Sequence, residues 1–156
     1  MKKAFTLIEL LVTISIIALI MAISIFGLAN ARQSARDGRR KSDIESIRSA
    51  LELYRSDCGQ YPPTSGNGRL QFGSALTGSQ SSGNTCLTSY RYMETVPADP
   101  GSASYTYSRP TTTTYELCAT LEQPGNGSTC GTGGSCTCGG STSCGSGTCR
   151  YKAVSP

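Results

Sequence analysis

Residues 1–29, MKKAFTLIELLVTISIIALIMAISIFGLA, decide how this chain of 156 residues is built. The stretch from Leu10 to Ala29 contains no charge and no proline, and it is long enough to cross about 30 Å of hydrocarbon as a helix. A secretory signal peptide has a shorter apolar region that ends at a small-residue cleavage site. We therefore predict a membrane-spanning helix, and the alternative is the uncleaved anchor of an unrelated protein.

The helical pattern continues beyond the apolar run. A single helix is predicted from Phe5 to about Arg55, roughly 75 Å long at 1.5 Å per residue. It ends at Cys58-Gly59, which the prolines of Tyr61-Pro62-Pro63 follow. Its second half has apolar residues on one face at helical spacing: Ile44, Ile47, Leu51 and Tyr54.

The rest of the chain has the composition of a small head. A loop region with one short helical turn is predicted from Thr64 to Thr88. Strands are predicted at Ser104–Ser108 and Thr113–Glu122, and alternation in the second strand gives one buried face and one wet face. Arg150–Val154 is predicted as a last edge strand. These elements predict an α+β fold in which one long helix packs on a small antiparallel sheet.

The cysteines favour disulfides. The chain has eight cysteines and no histidine, which excludes mixed Cys/His zinc sites and places the head outside the cytoplasm. Every residue from Gly127 to Cys149 is Gly, Ser, Thr or Cys, and an all-thiolate metal site in this tract is the alternative. The five cysteines of the tract cannot all pair among themselves, so at least one pairs outside it unless it stays free or pairs between subunits. The disulfide candidates are Cys58, Cys86, Cys118, Cys130, Cys136, Cys138, Cys144 and Cys149.

Net charge and the absence of histidine exclude some classes of function. The net charge of +4 falls to +2 if residues 1–4 are removed with their two lysines, so no nucleic-acid partner is expected. Without histidine neither a Cys-His nor a Ser-His-Asp arrangement can form, so no enzyme is predicted.

A basic cluster, Arg32–Lys41, follows the apolar run, and by charge counting it belongs in the cytoplasm. We give the cysteines more weight, because disulfides are rare in reducing compartments. Three interpretations of the cluster are open: contact with phospholipid headgroups, contact with acidic residues of a neighbouring subunit, or a helix face that contacts only solvent.

One acid, Glu9, lies near the start of the apolar helix. A charge that faces lipid costs roughly 3 kcal/mol at the bilayer centre and less near the interface, so a carboxylate here suggests a function. The alternative is a glutamate that rests at the level of the headgroups.

The residues around Glu9, KKAFTLIELL at positions 2–11, closely resemble the processing site of type IV prepilins and of the pseudopilins of type II secretion. The resemblance implies a prepilin peptidase that cuts between Ala4 and Phe5 on the cytoplasmic face and methylates the new N-terminus at Phe5. Ala4 stands where the family usually has Gly, and Phe26 where it often has Pro. Glu9 of one subunit is then expected to approach the Phe5 amine of its neighbour during assembly.

Two further motifs favour the major pseudopilins. The sequences CGQYP at 58–62 and VPADP at 96–100 resemble short motifs of that branch, although either could be ordinary turn chemistry. Major pseudopilins commonly bind calcium in a C-terminal loop, but no aspartate follows Asp99 here. We therefore expect no cofactor, neither calcium nor zinc, and expect disulfides to staple the loop instead.

The resemblance implies a type IV pilin-like fold and a structural subunit of a type II secretion pseudopilus, which polymerises through its N-terminal helix. The alternatives are a type IV pilus subunit and, in another class, a monomeric membrane-anchored Cys-rich binding protein. Expected partners are copies of itself, minor pseudopilins, the prepilin peptidase, an inner-membrane assembly platform and the lipid bilayer. The chain is expected to cross the cytoplasmic membrane once, with the N-terminus on the inner side and the C-terminal head outside, and then to lie in a periplasmic or cell-surface filament. The expected organisation is a leader 1–4, a membrane and polymerisation helix 5–29, its continuation 30–57, and a head 58–156 with a Cys-rich loop 127–149.

Overall fold

The computed structural model describes residues 5–66, 69–79, 86–123, 136–141, 143–144 and 147–156. Two predicted site residues, Ala4 and Cys130, lie outside this part of the chain, and so does the side chain of Cys144. The predicted α+β fold is confirmed: one long N-terminal helix packs on antiparallel sheets.

The helix α1 is a single element, Leu7–Cys58, of 52 residues. It starts after Thr6, which caps its first turn, and it ends at Gly59, whose φ of 73° lies in the left-handed region that glycine adopts without strain. The Gly59 N–H donates to the Arg55 carbonyl over 2.8 Å and closes the last turn. The helix therefore ends at Cys58-Gly59 as predicted, where Gly59 is the first residue with left-handed backbone geometry.

The first half of α1 is covered by nothing in the described part of the chain. Its large apolar side chains are exposed from Phe5 to Leu28, apart from Ile25 and Phe26, whose side chains are not described. By length and composition alone α1 contains a stretch apolar enough to cross a membrane. Such a surface needs lipid or other protein around it.

The second half of α1 packs on the head. Ile44, Ile47, Leu51 and Tyr54 are fully buried, which confirms the predicted apolar face. Their partners in the same core include Leu117, Ala119 and Ala153 from the sheet. Burying an Ile or Leu side chain contributes about 1.5 to 3 kcal/mol, so this face holds the helix on the head.

The strands form two antiparallel sheets. A two-stranded sheet pairs β1 with β2, and a four-stranded sheet has the order β3-β4-β6-β5. In the larger sheet Leu117 lies between Tyr107 on one side and Ala153 on the other. The strands are β1 Leu76–Thr77, β2 Arg91–Met93, β3 Thr106–Thr111, β4 Thr114–Thr120, β5 Ser143–Cys144 and β6 Gly147–Val154.

The head differs from the prediction in three details. The last strand, β6, begins inside the tract predicted as a loop, and it is not an edge strand because β5 pairs with its outer side. The short strands β1 and β2 were not predicted, since two or three residues carry no readable alternation. The helical turn expected within Thr64–Thr88 is absent from the described residues of that region.

The second face of β4 is also not uniformly wet. Cys118, predicted on that face, is fully buried and forms a cluster with the buried cysteines Cys136, Cys138 and Cys149. A disulfide to Cys138 draws the segment 136–141 over this face of the sheet. The head therefore has a large inner core and a small outer cluster made only of cysteines.

Candidate processing and assembly site

The start of α1 is closed by a capping box between Thr6 and Glu9. The Thr6 hydroxyl accepts a hydrogen bond from the Glu9 N–H over 3.3 Å. In return Oε2 of Glu9 accepts from the Thr6 N–H at 3.0 Å and from the Thr6 hydroxyl at 2.8 Å. Glu9 thus has a role within its own chain, because the first N–H groups of a helix lack helical partners.

Sequence reasoning missed this cap although its signal is present. Thr6-Leu7-Ile8-Glu9 follows the Thr-x-x-Glu pattern of a capping box directly before an apolar helix. A carboxylate also interacts favourably with the positive end of the helix dipole. The structure therefore adds a third interpretation of Glu9, beside an assembly charge and a residue at the level of the headgroups.

The structure places Phe5 and Glu9 on the same side of the helix start. Both line one open groove with Ile8, Val12 and Thr13. The Phe5 side chain is 85% exposed, so neither it nor the groove is covered by the head. The predicted processing and assembly residues that the structure describes are therefore accessible to other molecules.

A buried ionic cluster lies where the helix first meets the head. We call it the Arg40 cluster. Arg40 is 2% exposed and Asp37 is fully buried. Arg40 donates to Asp99 over 2.8 and 3.0 Å, to Asp37 over 2.9 Å and to Glu122 over 2.8 Å. Its members are Arg36, Asp37, Arg40, Asp99 and Glu122.

This cluster changes the interpretation of the basic flank. Two of its basic residues, Arg36 and Arg40, pair with acids of the same chain, whereas Arg32 and Arg39 are exposed. Besides Asp37 on its own helix, the partners of Arg40 come from segments 59 and 82 residues away, which periodicity could not reveal. The expectation of a face that contacts only lipid, a neighbouring subunit or solvent was therefore wrong for Arg36 and Arg40.

Asp37 attaches the end of the sheet region to the helix. Its two carboxylate oxygens accept from the backbone N–H groups of Glu122 and Gln123, each over 2.9 Å. The Gln123 side chain in turn donates to the Asn30 carbonyl over 3.1 Å. The head is thus fastened to α1 just past the end of the apolar run.

Asp99 of the VPADP motif has two roles. Its carboxylate accepts hydrogen bonds from the Arg40 guanidinium. It also accepts from the Gly101 N–H over 2.7 Å, and this second bond is ordinary turn chemistry. A Cβ at position 101 would lie 2.9 Å from a guanidinium nitrogen of Arg40. A glycine here leaves room for the buried arginine.

The cluster shifts the pKa of its members. The Arg36 guanidinium, with help from Arg40, lowers the pKa of Glu122 from 4.5 to about 2. Asp99 is the main cause of the raised pKa of Arg40. Both shifts favour the charged forms, so Glu122 and Arg40 both carry their charges at neutral pH.

Disulfides fasten the other parts of the head. Cys58 at the end of α1 is bonded to Cys86, and Cys118 in β4 is bonded to Cys138. Cys136 and Cys149 are also disulfide-bonded, and the described residues contain no free cysteine. The predicted disulfide framework is confirmed, and one cysteine of the tract pairs outside it as expected.

Comparison with known families defines first the class and then the family. Residues 1–25 match the prokaryotic N-terminal methylation motif, which with the long exposed helix makes this a membrane-anchored, pilin-like subunit. Residues 27–134 match the model described as type II secretion system (T2SS), protein G. The chain therefore belongs to the type II secretion system protein G family, and it is a structural subunit of a pseudopilus.

Relatives carry the same description at modest identity. The type II secretion system core protein G of Pseudomonas aeruginosa is 28% identical over 114 residues, 71% of this chain and 76% of that protein. The Escherichia coli K12 protein of the same name is 28% identical over 109 residues, 70% of this chain and 73% of its own length. That of Pectobacterium carotovorum is 33% identical over 63 residues, only 40% of each chain. No solved structure gives a significant match.

The Arg40 cluster predicts how stability depends on pH. Because Glu122 has a folded pKa near 2 against 4.5 when unfolded, its contribution is complete above about pH 4.5 and is lost as pH falls towards 2. We expect the urea midpoint of the full chain in detergent to fall over this interval. Glu122→Gln should lower the midpoint at pH 7 and reduce the further loss in acid.

Glu94→Gln is the matched control, because the Glu94 side chain is 78% exposed. It should follow the wild-type curve. Identical pH profiles for Glu122→Gln and the wild type would contradict the assignment of this interval to the cluster.

Proposed function

We propose that this pseudopilin is cut between Ala4 and Phe5, methylated on the new Phe5 amine, and polymerised through the exposed half of α1. One observation carries the proposal. A methylation motif over residues 1–25 includes the start of a helix whose large apolar side chains, from Leu7 to Ile23 and at Leu28, are exposed in the described part of the chain. Neighbouring copies of the same helix would bury that surface once the subunit leaves the lipid.

The proposed topology has the N-terminus in the cytoplasm and the head outside. Disulfides fasten the head at Cys58–Cys86 and Cys118–Cys138, and such bonds persist in oxidising compartments. The filament would then lie in the periplasm or at the cell surface. The proposed partners are further copies, minor pseudopilins, the prepilin peptidase and an inner-membrane assembly platform. The role is structural, with no catalysis.

The Thr6–Glu9 cap suggests how cleavage leads to assembly. Removal of the leader would create an ammonium group at Phe5, about one helical turn or roughly 6 Å from Glu9. A lone ammonium and a lone carboxylate are each costly in hydrocarbon. In a helical array Glu9 of one subunit would pair with the Phe5 amine of its neighbour and offset both costs.

The cap is compatible with that pairing. The Thr6 N–H and the Thr6 hydroxyl both donate to Oε2 of Glu9, and a carboxylate has a second oxygen to offer. Thr6 would then be a positioning residue, which holds the carboxylate at the amino end of the helix. Positioning in advance reduces the entropy lost when the neighbour docks.

We also propose that the head needs no metal. After Asp99 the only acids are Glu116 and Glu122, and both are paired, Glu116 with Lys152 over 2.7 Å and Glu122 with Arg36 and Arg40. Lys152 also donates to the Thr137 carbonyl over 2.9 Å. An ammonium group and disulfides would thus hold the segment 136–141, where a cation would otherwise need carboxylates.

The first prediction from this proposed function concerns processing. Mass spectrometry of filament subunits should find a chain that begins at Phe5 with a methylated amine. Ala4→Gly should be cut as well as the wild type or better, because both side chains are small. Filaments whose subunits still carry residues 1–4 would refute the processing site.

The second prediction separates the charge of Glu9 from its cap. Glu9→Gln keeps a capping-box residue and removes the charge, whereas Thr6→Ala removes the cap, at about 1 kcal/mol, and keeps the charge. We expect Glu9→Gln to insert, fold and be cleaved normally but to form far less sheared filament per membrane-bound subunit. Thr6→Ala should lose less.

Glu9→Asp should be intermediate in the same assay, because the shorter side chain keeps the charge but reaches less far. Wild-type filament yield from Glu9→Gln, at equal expression and cleavage, would reduce Glu9 to a helix cap and remove the assembly pairing.

The third prediction compares a chelator with a reductant. EDTA should leave the unfolding midpoint of the full chain in detergent unchanged. A reductant should lower the midpoint, because each bridge that opens removes about 2 to 4 kcal/mol from the free energy of unfolding. It should also make the segment after Gln123 sensitive to protease before the sheet melts. A midpoint that calcium raises and EDTA lowers would show that the head does bind a metal.

A further inference from the structure

The two described disulfides differ in the order of their cysteines along the chain. Cys58 and Cys86 are successive cysteines, with none between them. Cys118 and Cys138 are not, because Cys130 and Cys136 lie between them. Pairing cysteines in the order of the sequence would therefore give the first bridge correctly and the second one wrongly.

The order matters because of the proposed topology, on which this inference rests. A head that crosses the membrane with its N-terminal end first exposes Cys118, then Cys130 and Cys136, and only then Cys138. Closing a shorter loop also costs less entropy, which favours the earlier partners. The Cys118 thiolate therefore meets two wrong partners before the right one.

The contacts that favour Cys138 as the partner of Cys118 are made by the last residues of the chain. The backbone N–H of Cys136 donates to the Cys149 carbonyl over 2.9 Å, and Lys152 donates to the Thr137 carbonyl. Lys152 also holds Glu116, which accepts from the Gly139 N–H over 2.8 Å. Contacts with β6 thus hold Cys138 over Cys118. In the proposed order of translocation, β6 emerges on the outer side only after all the cysteines up to Cys144.

The tract itself gives little guidance before β6 arrives. It has no large apolar side chain, and the outer cluster consists only of cysteines. The turn that follows Cys138 has a left-handed Gly139, with φ of 60°, and a Cβ there would lie 2.9 Å from the Ser108 hydroxyl. This fit forms only when the segment already lies on the sheet.

We infer that the head matures through disulfide isomerisation, carried out by a dithiol isomerase on the outer side of the membrane. A disulfide donor first takes two electrons from Cys118 and an early partner such as Cys130, and leaves as a dithiol. The isomerase thiolate then attacks the Cys118 sulfur and releases the Cys130 thiolate. The Cys138 thiolate attacks the same sulfur, forms Cys118–Cys138 and frees the isomerase thiolate, with no net oxidation.

The Cys58–Cys86 bridge is the internal control. Its cysteines are successive, so it should form directly from the donor and be independent of the isomerase. Both bridges belong to one chain in one compartment, so expression and translocation are matched within each molecule.

The test is pulse labelling of the full-length chain in cells with and without their disulfide isomerase, followed by thiol blocking and mass spectrometry of the linked peptides. We expect Cys58–Cys86 to form at the same rate in both. Cys118–Cys138 should form late and drop several-fold without the isomerase, with Cys118 joined early to Cys130 or Cys136. Equal rates and yields of Cys118–Cys138 with no other Cys118 bridge at any time would overturn the inference.

A variant tests the cause. Serine at the four other cysteines of the tract makes Cys118 and Cys138 successive, and the covalent bond can be measured even if the fold is loosened. Dependence on the isomerase should then disappear, and its persistence would overturn the inference. The substitutions are Cys130→Ser, Cys136→Ser, Cys144→Ser and Cys149→Ser.

The assay also separates this inference from the proposed function. Loss of filaments with both bridges formed as expected would count against the assembly role alone, since no readout uses the filament. Absence of Cys58–Cys86 in both strains would overturn the outward topology, and the isomerisation sequence with it.

Discussion

The whole molecule depends on a division within one helix. From Leu7 to Ile23 the large apolar side chains of α1 are exposed in the described part of the chain, and from Ile44 onwards one face of the helix forms part of the core of the head. Neither half of the helix would be stable alone in water. The first half exposes apolar side chains on all sides, and the second half has one apolar face that is buried only because the head covers it. The division lets one continuous element belong to a membrane or a filament at one end and to a folded head at the other.

The Arg40 cluster marks the boundary between these halves. Buried charges are costly, and a buried ion pair is often no better than apolar residues of the same shape, but removing one partner costs about 3 to 5 kcal/mol. The value of the cluster therefore lies in position rather than in strength. Arg40 and Asp37 can be satisfied only when Asp99 and the turn at Glu122 lie against this one helical turn. An apolar contact would allow the head to slide along the helix, whereas these hydrogen bonds fix its height.

The sequence was informative wherever the signal was local. The spacing of Ile44, Ile47 and Leu51 was enough to predict the buried face of α1, because helical periodicity needs no knowledge of the partner. The cap was equally local and was missed only because Glu9 was judged against lipid and not against Thr6. The pairing of Arg40 with Asp99 and Glu122 and the pairing of Cys118 depend on contacts between distant segments, so no pattern in the sequence could give them. The wet face expected for β4 was wrong at Cys118 for the same reason.

The fastenings of the head have a consequence for the filament. One lies at the Arg40 cluster and the other at Cys58–Cys86, 18 residues or roughly 27 Å further along α1, with the apolar core between them. A force on the head is therefore resisted at both ends of this part of the helix, which moves with the head as one body. Among the described residues, Asn30 is the lowest position at which a hydrogen bond joins α1 to the head, so a change in the direction of the helix during assembly is expected below it. Gly27 lies one turn below that contact, where glycine weakens the helix and an added Cβ would meet no other atom within 4 Å. The Gln123–Asn30 hydrogen bond, beside the Arg40 cluster, thus marks the boundary between the part of α1 that is fastened to the head and the part below it.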